Sequence, residues 1–119
     1  MHILLVDDTK ESRESLAKLL TEHGHVVTEA ADGDIAFKML STFKPDLLLT
    51  DLLMPNMDGL TFIIKAKDAG LLTCPFGVIS AYYPDNEQVD GSAFVLRKPV
   101  DPDALLQRID LVARGAMTG

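Results

Sequence analysis

Residues 3–8 read Ile3-Leu4-Leu5-Val6-Asp7-Asp8. Four apolar residues in a row, followed at once by two acids, describe a buried strand, apolar on both faces, that ends at a polar edge. Working outward, the same sign recurs. Leu47-Leu48-Leu49-Thr50-Asp51 is a second such run, again closed by an acid, and Phe76-Gly77-Val78-Ile79-Ser80 ends in a hydroxyl. Val26–Ala30 alternates weakly and fits a further strand, and Ala93–Leu96 completes five, running out near Lys98-Pro99. Amphipathic stretches lie between these runs, which is the alternation of a parallel α/β sheet.

The helices have their own start and stop signals. The first is expected to be capped near Asp8 or Thr9, to carry Leu16, Leu19 and Leu20 on one face, and to end at Gly24. Asp32-Gly33 opens a short helix with Ala36, Met39, Leu40 and Phe43 inward and Pro45 beyond its end. After a turn at Pro55–Gly59, Leu60, Ile63, Ile64 and Lys67 fall at helical spacing, and Gly70 stops that helix. Asp101 caps the last helix, Pro102 lies in its first turn, and Leu105, Leu106, Ile109 and Val112 form its apolar face. Residues 82–92 are the weak segment. They hold Pro84, Gly91 and Val89 as the one clear apolar anchor, so a full amphipathic helix there is poorly specified.

Composition narrows the function. At 119 residues the chain is one domain, expected over residues 1–114 with a flexible tail at 115–119. The 11 basic and 18 acidic residues leave a net charge of −7, which argues against nucleic acid and anionic membrane surfaces as partners of this domain. No apolar run exceeds four residues, far short of the roughly twenty that cross a bilayer. No secretory leader opens the sequence. Cys74 is the one cysteine, which excludes an internal disulfide and makes a reducing cytoplasm the simplest setting. A structural thiol is the plain reading of it, and exposed turn residues the plain reading of His23 and His25.

Ligands of parallel sheets sit outside the carboxyl ends of the strands. Collected there are Asp7 and Asp8 from the first strand, Asp51 from the third, Ser80 from the fourth and Lys98 from the fifth. Three neighbouring carboxylates repel one another, and a divalent cation relieves that. Oxygen-only ligands point to Mg²⁺, which uses one or two carboxylates and keeps its waters. A carboxylate nucleophile, a metal, a lysine and a hydroxyl together suit phosphoryl transfer onto Asp.

These residues, in the runs Leu4–Asp8, Leu49–Gly59, Ile79-Ser80-Ala81 and Lys98-Pro99, resemble the receiver domain of two-component response regulators, the chemotaxis receivers among them. The resemblance covers essentially the whole chain. It implies a flavodoxin-like, doubly wound five-stranded parallel sheet of order 2-1-3-4-5. The helix between strands four and five is expected to be short, distorted or absent. It implies that Asp51 is the phosphoacceptor. Asp7, Asp8, Asp51 and the backbone carbonyl of Leu53 are implied as ligands of Mg²⁺ or Mn²⁺. Lys98 would contact the phosphoryl group or Asp51, Ser80 would turn to the phosphoryl oxygens, and the Lys98–Pro99 bond would be cis. The implied partner is a sensor histidine kinase or a histidine phosphotransfer protein, with a homodimer left open.

The sequence departs from the family pattern in places. The residue three before Lys98 is Val95 where the family usually has an aromatic, and Phe94 stands one place earlier. A shift of one residue reverses the face in a strand. The segment between Ser80 and Lys98 is about a helical turn short. Leu53 and Tyr82, two beyond Asp51 and two beyond Ser80, are bulky, which predicts slow access of water to an acyl phosphate. The rival readings are a Mg²⁺-dependent phosphohydrolase with an Asp nucleophile, a nucleotide binder and a phosphate-independent interaction module. The first lacks a cap domain or substrate pocket in the sequence. The second lacks a phosphate cradle after strand one. The third leaves the acids and Lys98 without a purpose.

Overall fold

The structure, a computed structural model, describes residues 1–52, 54, 58–81, 89 and 91–115. Within it β1 (His2–Val6), β2 (Val26–Ala30), β3 (Leu47–Asp51), β4 (Phe76–Ser80) and β5 (Phe94–Arg97) form one sheet. All neighbouring pairs are parallel, in the order β2-β1-β3-β4-β5. The described helices are α1 (Lys10–Glu22), α2 (Gly33–Leu40), α3 (Gly59–Asp68) and α4 (Pro102–Ala113). The expectation of a short or missing helix between β4 and β5 falls largely on residues 82–88 and 90, which lie outside the described residues.

The unbroken apolar runs are explained by the two layers they serve. Leu4 and Val6 of β1 and Leu48 of β3 pack with Ala36 and Leu40 of α2 and Phe62, Ile63 and Ala66 of α3. Ile3, Leu5, Leu47 and Leu49 face the other way, onto Leu16 and Leu20 of α1 and Leu105 and Ile109 of α4. Each buried leucine or isoleucine stabilises the fold by about 1.5–3 kcal/mol. The central strands therefore tolerate no polar residue until their carboxyl ends, where the acids begin.

Two elements differ from the sequence expectation. β5 runs one residue later than Ala93–Leu96, because Gly77, Val78, Ile79 and Ser80 of β4 pair with Phe94, Val95, Leu96 and Arg97. Ala93 instead gives its N–H to the Phe76 carbonyl at 2.8 Å. In α3 the buried side is Gly59, Phe62, Ile63 and Ala66, while Leu60 and Ile64 are 43% and 58% exposed. Both sets obey the same helical spacing, one residue out of phase. Docking of Gly59 decides between them. A Cβ at Gly59 would lie 2.2 Å from the Asp51 carbonyl oxygen, so only glycine lets the helix start against the end of β3. Asp58 caps that start, accepting from the Thr61 N–H at 2.9 Å.

The face reversal expected at Phe94 and Val95 is present. Phe94 is buried in the α1/α4 layer, and Val95 packs in the α2/α3 layer. The ring of Phe94 lies over its β4 partner Gly77, where a Cβ would come within 2.4 Å of it. Cys74 is half-buried, and burial pushes its thiol up from 9.0 to about 11. So little thiolate forms near neutral pH that a structural role suits it better than redox sensing.

Gly77→Ala should therefore destabilise the protein by about 1–3 kcal/mol in urea unfolding, since overpacking outweighs the gain in strand propensity. In a Phe94→Leu background the same substitution should cost clearly less. Equal costs in both backgrounds would show that the ring does not set the requirement for glycine.

Candidate functional site

The sheet order puts the ends of β1, β3, β4 and β5 side by side along one edge. Asp7 and Asp8 follow the last residue of β1, and Asp51 and Ser80 are the last residues of β3 and β4. Lys98 follows β5, across a cis bond to Pro99. One carboxylate oxygen from each of Asp7, Asp8 and Asp51 lies within 4.8 Å of the others. Among the described residues this is the one group of three or more such side chains able to hold a metal ion. His23 and His25 do not join it. His23 Nδ1 bonds the Leu19 carbonyl, and His25 Nδ1 meets the chain's amino terminus.

The Lys98 ammonium sits between two strand ends. Nζ donates to Asp7 Oδ2 and to Asp51 Oδ2, each at 2.9 Å. Asp7 and Asp51 are buried, at 2% and 7% exposure, and Asp8 is exposed. Burial alone would pull the Lys98 pKa down. The hydrogen bonds and charges of Asp51 and Asp7 outweigh it and hold the pKa above the usual lysine value. Lys98 is anchored from behind as well, its backbone N–H donating to the Ser80 carbonyl at 3.0 Å. The Ser80 side chain is buried beside this bond. Leu53 and Tyr82 lie outside the described residues.

Asp7 is held through its backbone and its side chain. Its N–H donates to the Ala30 carbonyl at 3.1 Å, and its Oδ1 accepts from the Thr9 N–H at 2.9 Å. Its carbonyl accepts from Arg13 Nη1 at 2.8 Å. Thr9 is the N-cap residue of α1 but makes no side-chain cap of its own. Sequence reasoning missed Arg13. It stands six residues past Asp7 with no motif to mark it, and only the path of α1 brings it back to the loop.

One ammonium against three carboxylates leaves the edge negative. The donors are all oxygen, and their span suits a cation that takes one or two carboxylates directly and others through water. The acid trio thus fits Mg²⁺ or Mn²⁺ by donor chemistry.

Replacing Lys98 with Met removes the charge that Asp7 and Asp51 share. In metal-free protein this should cost about 3 kcal/mol, because two buried carboxylates lose their cation. Since the Lys98 pKa is raised on folding, its contribution is complete below the usual value of 10.5 and lost as pH climbs through the higher folded value. The stability gap between wild type and Lys98→Met should therefore hold steady from neutral pH to the usual lysine range and narrow above it. A gap already closing near neutral pH would contradict this geometry.

The comparisons agree with the fold. A family model for the response regulator receiver domain matches residues 3–110. The chain is 31% identical to Protein PilH of Pseudomonas aeruginosa over 118 residues, covering 95% of this chain and 98% of that protein. It is 36% identical to Response regulator MprA of Mycobacterium leprae over 118 residues, covering 96% of this chain but only 51% of MprA. The solved receiver domain of the hybrid histidine kinase CckA superposes with a TM-score of 0.82 at 35% identity, covering 94% of this chain and 98% of that one. Among the described residues no helix is long and apolar enough to cross a membrane. A parallel 2-1-3-4-5 sheet with an acid trio and a lysine at its carboxyl edge, matched by a family model over most of its length, makes this chain a member of the response regulator receiver domain family of two-component signalling.

Proposed function

We propose that the chain is a phosphoacceptor. It takes a phosphoryl group from a phosphohistidine onto Asp51 in the presence of Mg²⁺ or Mn²⁺, and changes conformation in response. The observation that carries this reading is the convergence of Asp7, Asp8 and Asp51 within 4.8 Å, with Lys98 bonded to both Asp7 and Asp51. An isolated acid cluster would need no lysine, and a structural ion pair would need no third acid.

In the transfer step one oxygen of the Asp51 carboxylate forms a bond to phosphorus. The bond from phosphorus to the histidine nitrogen breaks, and the departing imidazole takes up a proton. Asp7, Asp8, Asp51 and, as the family resemblance implies, the Leu53 carbonyl would hold Mg²⁺, which would supply positive charge for phosphoryl transfer. Lys98, already on Asp51, adds a positioned point charge at a phosphoryl oxygen. The Ser80 hydroxyl turns to donate to another, and so reports the modification. Leu53 and Tyr82, bulky residues two beyond Asp51 and Ser80 in the sequence, would keep water from the acyl phosphate.

The proposed domain covers residues 1–114; of the tail expected at 115–119, residues 116–119 lie outside the described residues. Its phosphodonor is a sensor histidine kinase or a histidine phosphotransfer protein in the cytoplasm. It promotes only its own phosphorylation and dephosphorylation.

Incubation with a small-molecule phosphodonor and Mg²⁺ should add one phosphoryl group per chain by intact mass, and none to Asp51→Asn. Equal labelling of the two proteins would defeat the assignment. After the donor is removed with Mg²⁺ retained, the label should decay slowly, and more quickly when Leu53 is replaced by Asn. Rapid decay from the wild type would show that water reaches the phosphate freely.

A further inference from the structure

The Asp7–Asp8 pair is braced by two residues that the phosphoryl chemistry does not use. Arg13 of α1 reaches back over the loop after β1. Its Nη1 donates to the Asp7 carbonyl at 2.8 Å, and its Nε donates to Glu29 Oε1 at 3.2 Å. Glu29 lies in β2, paired in register with Leu5 of β1. The Arg13 side chain is 16% exposed, so this contact is sheltered from water on most sides. One planar guanidinium thereby ties the end of the sheet to the peptide that links Asp7 to Asp8.

That peptide determines where the exposed acid stands. The Asp7 side chain has Thr9 and Lys98 to hold it. Among the described residues no hydrogen bond or ion pair reaches the Asp8 carboxylate, so its position relative to Asp7 is set through the backbone. The Asp7 N–H is fixed by Ala30, and the Asp7 carbonyl is fixed by Arg13. Without Arg13 the peptide loses the bond on its carbonyl, and the bond from the Thr9 N–H to Asp7 Oδ1 is left to restrain Asp8. Glu29 has a second effect. By pairing with the guanidinium it keeps that charge from turning onto the acids and competing with a cation.

We propose that Arg13, clamped by Glu29, is a positioning residue that sets the spacing of Asp7 and Asp8 for a small divalent cation. This rests on the reading of the acid trio as the metal site. Mg²⁺ demands near-octahedral geometry at short distances, whereas Ca²⁺ accepts longer and less regular coordination. A loosened Asp8 therefore penalises Mg²⁺ more than Ca²⁺. Loss of stability alone would not change the ratio of the two affinities.

The test is calorimetric titration of Mg²⁺ and, separately, Ca²⁺ into the wild type, Arg13→Ala, Arg13→Lys and Glu29→Gln. Urea unfolding of each variant confirms that it is folded. Arg13→Ala should weaken Mg²⁺ binding roughly tenfold, as loss of an outer-shell partner does, with Ca²⁺ affinity changed by less than about twofold. Arg13→Lys should behave much like Arg13→Ala, because the two bonds leave from separate guanidinium atoms, Nη1 and Nε, whereas lysine gathers its donors on one atom at the end of a flexible stem. Glu29→Gln should shift the ratio in the same direction by less. If Arg13→Ala fails to fold, the Lys and Gln variants carry the test. Equal weakening of both metals, no change, or wild-type behaviour in Arg13→Lys overturns the brace while leaving the metal site intact. Absence of saturable Mg²⁺ binding by the wild type, or wild-type binding by Asp8→Ala, overturns the metal site and the brace with it.

Discussion

The contact on which the rest depends is the Lys98 ammonium held at 2.9 Å from both Asp7 and Asp51. Two like charges a few ångströms apart near a protein surface repel by a few kcal/mol. Burying both without relief would oppose folding. Lys98 offsets that repulsion from the far side of β4, and it can do so only because β1, β3, β4 and β5 lie side by side and parallel. The sheet order is thus coupled to the site. An order that interrupted the β1-β3-β4-β5 run would separate the charges that this one brings together. A lone lysine still leaves the third acid unmatched, and this residual charge makes the edge receptive to a cation.

Much of this was legible in the sequence, for a simple reason. A strand covered on both faces must be apolar throughout, so β1, β3 and β4 stood out as runs, and the polar residues closing them marked the carboxyl edge. Asp7, Asp8, Asp51 and Lys98 could be collected from that rule before any contact was known. The geometry then joined them. What could not be read was phase and reach. The apolar face of α3 is ambiguous by one residue in the sequence, since 59/62/63/66 and 60/63/64/67 share one spacing. Only the approach of Gly59 to the Asp51 carbonyl resolves it. Arg13 escaped notice because its value lies in a backbone carbonyl and a distant glutamate, neither of which leaves a mark in a sequence pattern.

The residues of β5 depart from the usual receiver pattern. Phe94 is committed to the α1/α4 layer, with its ring filling the space that Gly77 leaves open. Val95, at the place where the family usually carries an aromatic, lies in the other layer. The two residues cannot exchange roles without moving the whole strand by one register, which would turn every side chain of β5 over. β5 therefore presents no aromatic at position 95. Where the two strands end, the Lys98 N–H bonds the Ser80 carbonyl.

The central claim is that Asp51 is the acid that reacts, with Asp7 and Asp8 beside it serving the cation. The most direct measurement is chemical trapping. Protein exposed to a phosphodonor and Mg²⁺ is reduced with borohydride, which converts an acyl phosphate to the alcohol, and peptides are then sequenced by mass spectrometry. The account predicts homoserine at position 51 alone, dependent on both the donor and the metal. Homoserine at position 7, 8 or 58, or at no position, would contradict it.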